Sequence, residues 1–318
     1  MTSKNIKFSV IIPFKQFNNY IHQCLNHLSN QTYKNFEIIL LPDKNEKPLL
    51  KNKNLIVKTR IIPKNTGPAE KRDLGSRLSH GEILAFIDDD AYPHKDWLKN
   101  ILKNFTSKNI AAVCGPGVTP PDSAWREQAS GWFSASPLGG GMYSYRFLPL
   151  NRRYVDDYPS MNLSVRKADF LKISGFDSNY WPGEDTKLCL DLTGKLGKKI
   201  IYDPGVLVYH HRRPLWLSHL RQIGNYGLHR GYFAKALPET SFRPVYFLPS
   251  LLVIAMVLAP QAVFPFYSFL LVINGIWVSF QSRSLFQGII SVPVVFLTHL
   301  WYGVRFIQGF LFTDKLLV

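Results

Sequence analysis

The sequence predicts an α/β protein with a mostly parallel sheet, followed by a C-terminal region of hydrophobic helices. Short apolar runs alternate with segments of helical periodicity over the first two thirds of the chain, and charge almost vanishes from the last quarter. A third observation ties these together. The mean hydropathy of -0.06 is high for a chain with a net charge of +16, so charge and apolarity are segregated along it.

Phe8–Pro13 (FSVIIP) reads as a buried strand from its apolar run, and Asn18–Ser29 as a helix from the spacing of Ile21, Leu25 and Leu28. Phe36–Leu41 and Leu55–Ile62 are the second and third strands, and Pro68–Leu78 is a helix opened by proline. Glu82–Ile87 is a fourth strand that ends in Asp88-Asp89-Asp90, followed by a helix over Asp96–Phe105 and a strand over Ile110–Cys114. Residues 116–160 read as irregular, with Pro116, Pro120, Pro121 and Gly139-Gly140-Gly141 marking long loops. Ser160–Arg166 resumes a strand, and Gly175-Phe176-Asp177 ends a short helix after it. Glu184–Leu196 is a helix with acids at its positive end, and Lys199–Tyr202 and Val206–Tyr209 are the last strands. Strands alternating with helices of this length imply a sheet covered on both faces.

Between Arg243 and Arg283 lie 39 residues without a charge, and 21 more uncharged residues run from Ser284 to Val304. The last 75 residues carry a net +2 and the first 243 carry +14. A helix crossing the bilayer core needs about 20 apolar residues. Residues 246–260 and 264–281 read as a helical hairpin turning near Pro260, and 285–304 as a third span or a re-entrant segment interrupted by Pro293 and His299. No export signal stands at the start, since the first apolar run, Phe8–Phe14, is short and holds a proline. The positive-inside rule then predicts a multi-pass membrane protein with residues 1–243 in the cytoplasm.

Residues 212–243 mix Arg212, Arg213, His219, Arg221, His229, Arg230, Lys235 and Arg243 with aromatic and apolar side chains. They read as a basic amphipathic segment at the headgroup level, with Arg221 and Arg230 as contacts for a diphosphate or a lipid phosphate. Nucleic acid is not an expected partner, because no recognition motif accompanies the basic charge. The scattered Cys24, Cys114 and Cys189 exclude a disulfide scaffold.

Three aspartates at the carboxyl end of a buried parallel strand stand where such sheets bind ligands. Like charges so close require a counter-ion, and oxygen ligands on a loop suit Mg2+ or Mn2+. No GxxxxGK[ST] or GxGxxG motif follows strand one, so any nucleotide is held another way.

Six pieces then occur in one order: Ser9-Val10-Ile11-Ile12-Pro13, Gly67 to Gly75, Phe86 to Asp90, Gly175-Phe176-Asp177, Gly183-Glu184-Asp185 and Val208-Tyr209-His210-His211. Together they resemble the family 2 glycosyltransferases of GT-A fold (Rossmann-like), in their membrane-attached form. The resemblance implies an inverting, metal-dependent transferase that moves a sugar from a nucleotide-sugar donor to a hydroxyl of a lipid-linked glycan or other membrane-associated acceptor. It implies Asp185, beside Glu184, as the base, and Asp90, Asp88 and His210 (or His211) as ligands of Mn2+ or Mg2+. Pro13, Phe14, Asp43, Arg72, Asp88 and Asp89 would meet the nucleotide. The alternatives are a polyprenyl-phosphate glycosyltransferase and a catalytically silent membrane scaffold, and a homo-oligomer is open.

Several residues depart from the family pattern. Strand two ends in Leu41-Pro42-Asp43-Lys44, Asp73 stands where Asn is common, and no QxxRW occurs. The expected domains are 1–211 catalytic, 212–243 interfacial and 244–318 transmembrane.

Overall fold

The computed structural model describes residues 7–44, 55–62, 66–181 and 183–316, so Pro182 of the Gly183-Glu184-Asp185 approach lies outside the described residues. Two compact units are present: one runs to Val118 and resumes over Pro149–His210, and the other joins Thr119–Leu148 to His211–Val318.

The first unit contains β1 (Phe8–Pro13), α1 (Asn19–Ser29), β2 (Phe36–Leu41), β3 (Ile56–Thr59), α2 (Pro68–Leu78), β4 (Ile83–Ile87), β5 (Ala91–Pro93), α3 (Trp97–Asn104), β6 (Ile110–Cys114) and β7 (Gly117–Val118). The chain then contributes α4 (Trp125–Ala135) and a 3-10 turn, Gly141–Arg146, to the second unit. It returns to the first with β8 (Arg153–Val155), β9 (Asn162–Arg166), α5 (Lys167–Lys172), α6 (Glu184–Leu190), β10 (Lys199–Tyr202) and β11 (Val208–His210). The second unit ends with α7 (Leu217–Ala236), α8 (Pro238–Ser241), α9 (Pro244–Leu258), α10 (Pro260–Ser282) and α11 (Leu285–Phe312).

The main sheet has the order β3-β2-β1-β4-β9-β6-β10-β8. Strands β1, β2, β3 and β4 run parallel, while β9 is antiparallel to both β4 and β6. The apolar runs seen in the sequence are buried on both faces, as a covered parallel sheet requires. Glu37 is the exception within β2. Burial would raise its pKa, but Lys58, the His80 N–H and Ser9 Oγ together hold it below the usual carboxylate range. Helix α2 lies close on β1 because Gly75 faces it: a Cβ there would come within 2.6 Å of Ile11 Cγ2.

Several element bounds differ from expectation. The third strand is limited to Ile56–Thr59, and the last begins at Val208 instead of Val206. The helix expected over Glu184–Leu196 is α-helical only to Leu190 and then widens into a π turn, Asp191–Lys195. The region taken as irregular contains α4, the 3-10 turn and β8.

In the second unit, Pro260 opens α10 at its first turn, so the hairpin breaks at Ala259. Helices α10 and α11 are each long and apolar enough to cross a membrane by length and composition, whereas α9 has 15 residues. Helix α11 continues past Pro293 and His299 to Phe312. His299 is accommodated because Nδ1 lies 2.6 Å from the Tyr267 hydroxyl and Nε2 lies 3.0 Å from the Leu138 carbonyl oxygen. The Leu138 N–H in turn donates to Asn274 Oδ1 at 3.1 Å, so both backbone groups of this loop residue are satisfied from α10 and α11. His219 bridges Ser130 Oγ and Thr298 Oγ1, and burial lowers its pKa to about 4, so it serves as a neutral hydrogen-bonding group. Helix α7, the centre of the expected amphipathic segment, packs parallel to α11 along Gly224, Gly227 and Gly231. A Cβ at Gly231 would come within 2.2 Å of the Phe306 carbonyl oxygen. One face of α7 is therefore occupied by protein.

Candidate active site

Parallel pairing aligns Pro13 with Leu41 and Ile11 with Phe86, so β1, β2 and β4 end at one edge of the sheet. That edge receives Phe14, Asp43 and Asp88. Antiparallel β9 pairs Asn162 with Ile87, which brings its start, and Ser160 before it, to the same edge.

The three aspartates sit between β4 and β5, and β11 lies antiparallel to β5 with His210 opposite Ala91. This register carries the imidazole to the acids: His210 Nε2 lies 3.0 Å from Asp90 Oδ1. Asp88, Asp90 and His210 each offer one ligand atom, all within 4.8 Å of one another. Two carboxylates and an imidazole at that separation fit a hard-to-borderline divalent cation such as Mn2+ or Mg2+. Asp89 is half-buried beside them. His211 points elsewhere, with Nδ1 3.5 Å from Glu127 Oε2, so the geometry favours His210 of the two.

Arg72 is buried on α2 and connects two parts of the site. It donates from one nitrogen to Asp88 Oδ1 at 2.7 Å and from another to Glu184 Oε1 at 3.2 Å, and its guanidinium lies over the Phe176 ring. In this structure it is engaged by these two carboxylates.

Glu184 and Asp185 open α6. Burial and the charge of Asp185 push Glu184 up to about 7, against the opposing pull of Arg72. Burial, then the nearby Asp157, raise Asp185 above its ordinary value, while the N–H groups of Ser160 and Thr186 pull it down. A raised carboxyl pKa favours the proton-bound form and so makes the group a better proton acceptor.

At the β1 and β2 end, Pro13 and Phe14 are buried. Asp43 forms an ion pair with Lys71, whose ammonium also donates to the Phe14 carbonyl oxygen at 2.7 Å. In the second unit, Arg221 is exposed on α7 and Arg230 is half-buried, donating to Ser241 Oγ at 3.1 Å.

Sequence reasoning passed over Lys71 and Asp157. Lys71 is buried, although its position beside Arg72 on a helix facing the ligand edge was a usable signal. Asp157 accepts a hydrogen bond from Thr186 Oγ1 at 2.9 Å and so borders the acidic pair, but it lies in a stretch without periodicity.

The family described as glycosyl transferase family 2 matches residues 9–168, half of the chain. A pre-mycofactocin glycosyltransferase of Mycobacterium tuberculosis (strain H37Rv) is 30% identical over 159 residues, 49% of this chain and 33% of the relative. The chain thus spans about a third of that protein's length. A glucosyl-dolichyl phosphate glucuronosyltransferase of Haloferax volcanii is 22% identical over 226 residues, 64% of this chain and 69% of the relative. Among solved structures, mannosyltransferase PcManGT of Pyrobaculum calidifontis, in complex with GDP-Man and Mn2+, superposes with a TM-score of 0.59 at 17% identity. It covers 98% of this chain and 89% of its own. GalNAc-T7 with UDP, GalNAc and Mn2+ gives 0.51 at 16% identity, over 77% of this chain and 52% of its own. At these identities the structures speak to the fold, which is GT-A.

Proposed function

Because the chain belongs to glycosyl transferase family 2, we propose that it transfers one sugar from a nucleotide-sugar donor, with inversion, to a hydroxyl of a membrane-associated acceptor such as a lipid-linked glycan. The observation that carries this reading is the sheet edge itself, which presents Asp88, Asp90 and His210 together with the Glu184–Asp185 pair on the elements that border it.

In the reaction, Asp185 accepts the proton of the acceptor hydroxyl as its oxygen attacks the anomeric carbon. The bond from that carbon to the donor diphosphate breaks, and the diphosphate departs with the electron pair. Asp88, Asp90 and His210 would hold Mn2+ or Mg2+, whose charge offsets that of the leaving diphosphate. Arg72 holds Glu184 and Asp88 in register, and Glu184 stands beside Asp185 at the start of α6. Phe14 and Asp43 form the floor of the nucleotide pocket, with Pro13 behind them and Asp89 beside the donor.

The membrane part of the proposal rests on the apolar helices α9 to α11, which carry a single charged side chain, Arg305, with residues 1–211 catalytic and cytoplasmic, 212–243 at the interface and 244–318 as the anchor. The Haloferax relative, named for a glucosyl-dolichyl phosphate, supports a lipid-linked acceptor.

A phosphate acceptor is already ionised and needs no base, so Asp185 distinguishes the two acceptor classes. The test is Asp185→Asn in detergent-purified protein, with transfer from UDP- and GDP-sugars and nucleotide binding measured side by side. The expected result is nucleotide binding retained and transfer lost. Transfer at the wild-type rate would refute the hydroxyl acceptor and point to a polyprenyl phosphate.

A further inference from the structure

Two helices of the second unit are long and apolar enough to cross a membrane, yet exposed charges accompany them from end to end. Helix α10 runs antiparallel to α11, with Tyr267 bonded to His299 and Gly275 close against Gly288. Helix α9 extends that line: Phe247 packs on Phe306 and Phe310, and Ser250 Oγ donates to the Gly303 carbonyl oxygen at 3.1 Å. Three contacts then fix the level of cationic side chains along α11. At its first turn, the Trp125 ring packs on Phe286 with centroids 5.4 Å apart, and Gln287 Nε2 donates to the Trp125 carbonyl oxygen at 3.3 Å. The exposed Arg126 lies over that Trp125 ring, 5.3 Å from its centre. Near the middle of α11, Leu220 lines one apolar groove with Leu297, Leu300 and Trp301, which puts the exposed Arg221 at their level. At the end, the exposed Lys235 donates to the Thr313 carbonyl oxygen at 2.9 Å.

We propose that α9, α10 and α11 do not cross the bilayer but lie within one leaflet, so that the second unit is a monotopic anchor. Length decides between the two arrangements. At a rise of about 1.5 Å per residue, about 20 Å separate Gln287 from Leu300, and about 20 Å separate Leu300 from Thr313. The hydrocarbon core is about 30 Å thick. A slab of that thickness set across α11 therefore takes in Arg126, Arg221 or Lys235, and an exposed cation there is costly. Because α10 shares the levels of α11, it meets the same conflict. Lying in the plane of the membrane removes it. Leu251, Ile254 and Val257 of α9 and Phe266, Phe269 and Ile276 of α10 are exposed and enter the acyl layer. Arg126, Arg221 and Lys235 stay at the level of the phosphates, where their charge complements anionic headgroups. The break at Ala259 fits this arrangement, since α9 and α10 follow α11 as two successive segments in one direction.

The inference rests on the membrane-associated reading, and its test is independent of catalysis. The exposed turn between α10 and α11 is the discriminating position: a crossing hairpin carries it to the far side of the bilayer, and a monotopic one keeps it on the near side. Arg283→Cys marks that turn, and Lys108→Cys marks an exposed position of the first unit. The native Cys24, Cys114 and Cys189 are buried, and the wild-type chain supplies the background. Sealed membrane vesicles bearing each full-length variant are treated with a membrane-impermeant maleimide before and after addition of detergent. The two variants should be labelled to the same extent before detergent, whichever way the vesicles are oriented. Thermal melts report folding, and Gln281→Cys, at an exposed position in the last turn of α10, repeats the measurement should Arg283→Cys fail to fold.

Labelling of one variant before detergent and of the other only after it would overturn the monotopic arrangement, and would leave the acceptor proposal standing. Recovery of the chain in the soluble fraction would overturn the membrane-associated reading and this inference together. Loss of transfer in Asp185→Asn bears on neither result, so the two proposals fail separately.

Discussion

Asp73→Asn should stabilise the protein, and by an amount that depends on pH. Asp73 lies on α2, and its Oδ1 accepts the Phe176 N–H at 2.9 Å. The loop can approach this closely because Gly175 has φ +79° and no Cβ: a Cβ there would fall 2.4 Å from the same oxygen. Burial raises the Asp73 pKa from 3.8 to about 6, outweighing the Phe176 N–H, Arg77 and Arg72, which lower it. A carboxyl whose pKa is raised by folding binds more protons in the folded state across that interval. Stability therefore falls as pH rises from 3.8 to about 6, and the full cost is present above it. The shift corresponds to about 3 kcal/mol as an upper bound. Solvent screening of a half-buried group reduces this to about 1–1.5 kcal/mol. Asparagine keeps the acceptor oxygen and cannot ionise. The melting temperature of Asp73→Asn relative to wild type should thus be roughly 3–5 °C higher at pH 8 than at pH 3.5. Thermal unfolding followed by tryptophan fluorescence across that pH range checks it. A difference that does not change with pH, or one that changes in the opposite direction, would show that Asp73 is not held at a cost and refute the reasoning.

Three further outcomes are expected. Mn2+ should raise the melting temperature of the wild type, and Asp90→Ala or His210→Ala should abolish that increment, as read from a metal titration by thermal shift. Lys71→Met removes the partner of Asp43 and should cost about 3 kcal/mol in a denaturant titration, most of it recovered in Lys71→Met/Asp43→Asn. Gly231→Ala should destabilise the second unit by about 1–3 kcal/mol, since its methyl would press on the Phe306 carbonyl. Gly194→Ala, with only Leu190 Cδ1 nearby at 3.8 Å, should have little effect on the melting temperature.

The strands of the parallel half of the sheet were legible because burial on both faces writes itself as an uninterrupted apolar run, as in Val10-Ile11-Ile12 and Ile38-Ile39-Leu40. Their order placed the aspartates at the ligand edge. Helix α4 was not legible, since WREQASGWFSA has no strong apolar stripe of its own. Its partners arrive much later in the chain: Ser130 meets His219, and Phe133 packs with Leu215, Tyr267 and Val295. Lys71 reads as a surface cation until the ends of β1 and β2 are seen to enclose its ammonium. In sequence, His210 is preferred to His211 only by its place after Val208-Tyr209, and the structure places His210 beside Asp90 and His211 beside Glu127. The acidic pair was found through the family motif, while its environment was invisible because Asp157 and Ser160 belong to a distant segment.

The discontinuity of the second unit sets an order of events during biosynthesis. Residues 119–148 leave the ribosome before β8 to β11, yet Leu138 is satisfied by Asn274 and His299, and the Ser130 hydroxyl by His219. At about 5–20 residues per second, the wait from residue 148 to residue 299 is roughly 8–30 s. For that time Trp125, Trp132 and Phe133 are synthesised without their apolar partners, which are the last helices to emerge. Completion of the inserted segment is thereby timed to the arrival of the C-terminal helices, so a nascent chain that stalls before residue 274 would present this segment to chaperones and proteases.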